Sequence, residues 1–133
     1  MDHSSWHPKR VDFLLPTVTS VDERARAART ALLPVGSFEQ HGEYLPLVTD
    51  TVVACLVAGR LAADYPLLFL PPVTISCSHE HAGFAGTVSI SARTLIAVVE
   101  DIDESLRSSG VERLVIVNGH GGNYALRNFT DRG

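Results

Sequence analysis

Histidine and carboxylate side chains crowd three short segments of this sequence. They are GSFEQHGEYLPLVTD at 36–50, SCSHEHAGFAGT at 76–87 and NGHGGN at 118–123. Four of the six histidines lie there, His41, His79, His81 and His120, and solubility alone gives no reason for that clustering. Glu39, His41 and Asp50 offer one imidazole and two carboxylates from one segment, and His120 adds a second imidazole from another. Mixed imidazole and carboxylate donors suit Zn²⁺, Mn²⁺ or Fe²⁺, whereas Ca²⁺ wants all oxygen and a structural zinc wants thiolates. A carboxylate can also bridge two ions about 3.5–4 Å apart, a recurrent hydrolytic device. Singly these cues are weak. A lone E-x-H is ordinary surface decoration, and Gly-His-Gly-Gly also fits a tight turn or an anion-binding loop. Their joint placement points to a metal.

The second segment carries further polar candidates. His79 and His81 flank Glu80, so they either line a pocket or form a structural set in which Glu80 orients one imidazole. Ser78 can direct its hydroxyl or backbone at a substrate, or satisfy a local turn. Asn118 and Asn123 bracket the glycine turn and are expected to shape it. Cys55 and Cys77 read as small buried residues, and Tyr44 as packing at a pocket rim.

The elements between these segments must place them. Ser20 followed by Glu23 forms a capping box that opens a helix to about Thr30. Ala31–Val35 is a short apolar run closed by Gly36, hence a buried strand. A helix capped by Thr49 or Asp50 follows, with Val53, Leu56, Val57 and Leu61 on one face expected to be its buried side. Leu67–Leu70, stopped by Pro71 and Pro72, is a second strand, and Thr87–Ile90 a short extra one. Ser91 opens a strongly periodic helix with Leu95, Val98, Val99, Ile102 and Leu106, ended by Gly110. Leu114–Val117 is a third strand, and a further helix begins near Asn123. Helices alternating with uniformly apolar strands predict an α/β fold with parallel strands covered on both faces. Ligands of such sheets bind beyond the strand carboxyl ends, where all three polar segments begin.

Composition excludes other classes. The chain has 133 residues, 45% apolar and 20% charged, with a formal charge of −4. That is globular and slightly acidic, with no basic run for nucleic acid. Two cysteines make no disulfide scaffold and suit a reducing, cytoplasmic setting. The longest apolar stretch, Leu67–Ile75, is interrupted by prolines and is far below the ~20 residues that span a bilayer. No secretory leader pattern opens the chain. Residues 1–19 read as an irregular lead-in, and 20–133 as one domain. His3 has a spacing that can chelate Cu(II) or Ni(II) through the amino terminus, although a frayed tail needs no such role.

GSFEQHGEYLPLVTD, SHEHAGFAGT and NGHGGN resemble, in order, the three signatures of the creatininase (creatinine amidohydrolase) family, over about Leu32–Asn128. The resemblance implies a three-layer α/β fold with a mainly parallel sheet, and oligomeric assembly. It implies a binuclear centre of two divalent ions, Zn²⁺ first and Mn²⁺ or Fe²⁺ next, held by Glu39, His41, Asp50 and His120, with Asp50 bridging. The activity implied is hydrolysis of a C–N bond in a cyclic amide, formamide or peptide end, by a water that the ions acidify. Three departures stand out. Glu43-Tyr44 replaces the usual Pro-His, and Ala85 replaces a proline. Creatininase has a metal-binding Glu two residues after the third-signature His, where this chain has Gly122. Relatives with the NGHGGN form take that carboxylate from a later H-A-G-x-x-E-T-S-like segment, which does not occur in these 133 residues. The resemblance therefore implies an incomplete carboxyl-terminal side. His81 or Glu80 stands in as the proton donor, and Ser78 as a substrate contact. Two rival readings follow: a truncated, catalytically silent domain, and a phosphate- or nucleotide-binding α/β module using Gly119–Gly122. The second lacks both G-x-x-x-x-G-K-[ST] and G-x-G-x-x-G.

Overall fold

The structure, a computed structural model, describes residues 14–130. The expectations for His3 and most of the lead-in lie outside those residues. Three parallel strands form the sheet: β1 (Thr30–Val35), β2 (Leu68–Phe69) and β3 (Arg113–Asn118), in the order β2-β1-β3. β1 pairs with β3 along its whole length, from Thr30 opposite Arg113 to Val35 opposite Asn118. Its pairing with β2 is limited to Ala31–Leu68 and Leu32–Phe69, and a single bridge from Val35 to Val73 continues that edge. Proline at 71 and 72 cannot donate to a ladder, which explains why β2 is shorter than the expected 67–70. Thr87–Ile90 contributes only an antiparallel bridge, Phe38 to Val88, and no strand.

Four α-helices surround the sheet among the described residues: α1 (Ser20–Arg26), α2 (Thr49–Asp64), α3 (Ala92–Ser108) and α4 (Leu126–Thr130). Leu33 and Val35 of β1 pack with Leu95 and Val99 of α3, while Leu32 packs on the other face with Ala58 of α2 and Phe69. Burial on both faces explains why β1 has no polar residue after Thr30, and the three layers agree with the expected architecture.

Several boundaries differ from the sequence reading. The capping box of α1 is Thr19 with Asp22, one residue earlier than expected, and each side chain bonds the other's backbone N–H. This helix ends at Arg26, well short of Thr30, because Ala27 turns left-handed and the Glu23 carboxylate accepts from the Ala28 N–H. Neither Thr49 nor Asp50 caps α2; Val48 precedes it without a side-chain cap, and Thr49 and Asp50 form its first turn.

The largest correction concerns the face that α2 buries. Thr51, Ala54, Cys55 and Ala58 are buried, whereas Val53, Leu56, Val57 and Leu61 are 47%, 44%, 49% and 37% exposed. Helical spacing locates a face but cannot tell which of two faces meets the sheet. Close approach decides it here. A Cβ on Gly36 would lie 2.2 Å from Thr51 Oγ1, and one on Gly119 would lie 2.5 Å from the Asp50 carbonyl and 3.1 Å from Ala54 Cβ. The small-residue face of α2 seats directly on two strand ends that carry no side chain. That seat places Asp50 beside His120.

Candidate metal centre

Glu39, His41, Asp50 and His120 converge beyond the carboxyl ends of β1 and β3. Glu39 and His41 lie on the loop after β1, Asp50 in the first turn of α2, and His120 just past β3. Donor atoms of Glu39, Asp50 and His120 all lie within 4.8 Å of one another.

The hydrogen atoms of the two imidazoles can be placed, because a carbonyl oxygen only accepts. His41 Nδ1 is 3.1 Å from the Glu39 carbonyl and carries the hydrogen. Its Nε2 lone pair then faces Asp50 Oδ1 at 3.0 Å. His120 donates from Nε2 to the Cys77 carbonyl at 2.8 Å. Its Nδ1 then carries the lone pair and lies 2.8 Å from Asp50 Oδ2. In the neutral imidazoles, two unprotonated nitrogens lie beside the two oxygens of one carboxylate. Acceptor against acceptor at that range is repulsive until a cation or a proton enters. The same carbonyl anchoring of the distal nitrogen is what fixes a metal-ligating histidine. Ser37 steadies the carboxylate by donating to Asp50 Oδ2 at 2.9 Å.

Glu39 is 4% exposed, and its Oε1 has no hydrogen-bond partner among the described residues. His120 Nε2 is 3.2 Å away, but its hydrogen is directed to Cys77. A buried, unpartnered carboxylate oxygen beside unprotonated imidazole nitrogens fits a divalent cation. The pKa of His41 is raised, first by the Glu39 carbonyl that accepts from Nδ1, with burial opposing and the Asp50 charge assisting. Burial pushes the Cys77 thiol up, and the Glu80 charge adds to this, so sulfur is disfavoured as a thiolate donor.

The other candidates divide. His81 stands 3.3 Å from Glu39 Oε2 through Nε2 and joins the cluster, whereas His79 is exposed and outside it. Glu80 is exposed but near: a Cβ on Gly122 would lie 3.0 Å from its Oε1, 2.5 Å from His120 Nε2 and 2.7 Å from the Cys77 carbonyl. The loop has no room for a side chain at 122. Ser78 is fully buried, and its hydroxyl has no partner among the described residues. Tyr44 is 90% exposed and packs at no rim.

Asn123 has the structural role expected of it and ties all three loops together. It accepts from the Cys77 N–H and donates to the Gly36 carbonyl and to Asn118 Oδ1. Sequence reading missed Ser37 and Gln40. Their only signal was a place next to Glu39 on a strand-end loop.

Residues 16–132 match the creatininase family, described as creatinine amidohydrolase. Mycofactocin precursor peptide peptidase of Mycolicibacterium smegmatis is 47% identical over 98 residues, which are 69% of this chain and 39% of that protein. The protein of the same name in Mycobacterium ulcerans is 41% identical over 94% of this chain and 54% of its own length. Creatinine amidohydrolase of Pseudomonas putida is 35% identical over 67% of this chain and 36% of its own. Among solved structures, a creatininase described with Mn superposes with a TM-score of 0.75 at 31% identity, covering 86% of this chain and 51% of that one. A creatininase variant of Zn-Zn type gives 0.76 at 29%, covering 89% and 52%. The chain spans about half the length of the relatives it matches. With the family match running through nearly all the described residues, this chain belongs to the creatininase family.

Proposed function

We propose that this chain carries the metal-binding part of an amidohydrolase that cleaves a C–N bond in a peptide end or a small amide. The observation that carries the reading is the Asp50 carboxylate, with one oxygen 3.0 Å from His41 Nε2 and the other 2.8 Å from His120 Nδ1. Divalent ions held there would supply Lewis acidity towards a carbonyl and an acidified water. We take Zn²⁺ first, with Mn²⁺ and Fe²⁺ next, because the donor set is nitrogen and oxygen without thiolate.

The protein's own groups divide the remaining work. Asp50 and Glu39 bring negative charge to the cation side, and Ser37 holds Asp50 in place. The Glu39 and Cys77 carbonyls keep His41 and His120 in ligand-ready tautomers. Glu80, exposed at the rim, and His81, 28% exposed at its side chain, are our candidates for protonating the departing nitrogen. Ser78, whose hydroxyl has no partner among the described residues, is our candidate for a substrate contact. We also carry forward a cytoplasmic setting and self-association. The exposed apolar side of α2 supports association. No helix among the described residues is long and apolar enough to cross a membrane.

The donors are uneven. Glu39, Asp50 and His120 give one position three protein ligands, the number of a catalytic zinc, whereas His41 and Asp50 give the other only two. The test is to load the purified chain with Zn²⁺ or Mn²⁺, count the metal by elemental analysis, and assay release of amine from peptide and small-amide substrates. Retained metal with turnover that Asp50→Ala abolishes supports the reading. A chain that keeps no ion refutes it. Bound metal without turnover favours the catalytically silent domain.

A further inference from the structure

Gln40 and His81 form a hydrogen-bonded chain whose proton positions can be followed atom by atom. The Gly42 N–H donates to Gln40 Oε1 at 3.0 Å, which fixes the orientation of the amide. With the amide reversed, its NH₂ would face that N–H, donor against donor. Gln40 Nε2 therefore points at His81 Nδ1, 2.8 Å away, and donates to it. An imidazole whose Nδ1 accepts carries its hydrogen on Nε2. That nitrogen is 3.3 Å from Glu39 Oε2. The Gln40 backbone is itself pinned, its N–H donating to Thr87 Oγ1 at 3.1 Å.

His81 is thus the opposite of its neighbours. His41 and His120 bring unprotonated nitrogens close to the carboxylates, and His81 brings a protonated one. We propose that Gln40 is a positioning residue that fixes the His81 proton on Nε2, so that this N–H engages Glu39 Oε2 and leaves Glu39 Oε1 as the oxygen offered to a cation. Glu39 Oε1 is the buried oxygen without a hydrogen-bond partner, as this division of labour requires. Holding one oxygen of a ligating carboxylate stops the group from rotating between its two faces. The consequence for a cation rests on the metal reading above, whereas the proton position does not.

The experiment uses the chain labelled with ¹⁵N-histidine and records long-range ¹H–¹⁵N correlations of the imidazole rings, with His81→Asn identifying the His81 signals. The expected spectrum shows a pyridine-type Nδ1 and a pyrrole-type Nε2 for His81. Gln40→Glu is nearly isosteric and keeps an acceptor for Gly42, but it removes the donor; the pyrrole-type signal is expected to appear at Nδ1. A pyrrole-type Nδ1 in the unsubstituted chain, or no change in Gln40→Glu, overturns the assignment. The unsubstituted spectrum decides the proton position even if the variant misfolds. In a second arm, Zn²⁺ affinity is measured by chelator competition, and Gln40→Glu is expected to lower it about 10-fold or more. Unchanged affinity overturns the positioning role. If the unsubstituted chain binds no Zn²⁺, the metal reading fails while the spectroscopic result still stands or falls by itself.

Discussion

Gly122→Ala tests whether the third loop is built around His120. The added Cβ would stand 2.5 Å from His120 Nε2 and 2.7 Å from the Cys77 carbonyl oxygen. Ordinary contact distances begin at about 3.5 Å, so the ring or the loop must retreat by about 1 Å. One neighbour is backbone and cannot swing aside. The His120–Cys77 bond, 2.8 Å long, lies between these two atoms and is the first casualty. Overpacking costs about 1–3 kcal/mol and a lost hydrogen bond about 1 kcal/mol, so about 2–4 kcal/mol in total. For a domain of this size that lowers the melting temperature by roughly 10 °C. With the Nε2 anchor gone, His120 no longer presents Nδ1 in a fixed direction, and Zn²⁺ affinity should fall about 10- to 100-fold. Gly121→Ala is the control, because nothing lies within 4 Å of its Cβ position. Thermal melts and chelator competition on the two variants give the answer. A Gly122→Ala protein as stable and as tight for Zn²⁺ as the Gly121→Ala control would refute the reasoning.

Four further outcomes are expected. Asp50→Ala should reduce bound metal more than Glu39→Ala, since Asp50 faces both imidazoles; elemental analysis of the two variants decides, and equal losses remove the case for a bridge. Zn²⁺ should titrate in two unequal steps by calorimetry, the tighter at the three-donor position; two equal sites would contradict the uneven ligand count. Asn123→Ala should destabilise the chain by about 2–3 kcal/mol in urea unfolding, because it strands the buried Cys77 N–H and removes the amide's bonds to Gly36 and Asn118; a change below about 0.5 kcal/mol would argue against the tie. His41 has a raised pKa in the folded chain, so the stability it contributes is complete below its ordinary value of about 6.5 and is lost as pH rises through the folded value. As pH rises above about 6.5, metal-free protein should therefore lose stability relative to His41→Asn, and parallel urea curves would show His41 uninvolved.

The order and type of the elements were legible because apolar runs of strand length alternate with helical periodicity, and because proline, glycine and capping residues punctuate them. Cap positions slipped by a residue or two: Thr19 and Ser20 are both good caps, and Asp22 and Glu23 both good reciprocal partners. The buried side of α2 was not legible. Val53, Leu56, Val57 and Leu61 are the more hydrophobic set, yet the sheet takes Ala54, Cys55 and Ala58. The deciding fact is the closeness of Gly36 and Gly119 to the helix, which depends on the pairing of β1 with β3. Local patterning carries no record of a distance between chain segments 83 residues apart.

The site shows the same division between residue type and residue setting. Glu39, His41, Asp50 and His120 could be picked out by chemistry and by their places at strand ends. What each imidazole offers could not, because that depends on the partner of its other nitrogen. For His41 the partner is a carbonyl two residues away, and for His120 it is a carbonyl 43 residues away on another loop. For His81 it is the Gln40 amide, 41 residues away, oriented in turn by Gly42. Two acceptors and one donor therefore make two kinds of histidine out of one side-chain type, two bringing unprotonated nitrogens to the carboxylates and one bringing an N–H. Asn123 joins this arrangement to the fold, since it holds the Cys77 segment against both Gly36 and Asn118. The direction in which His120 presents its lone pair is thus set by hydrogen bonds between loops, and those loops meet only because their strands lie side by side and parallel.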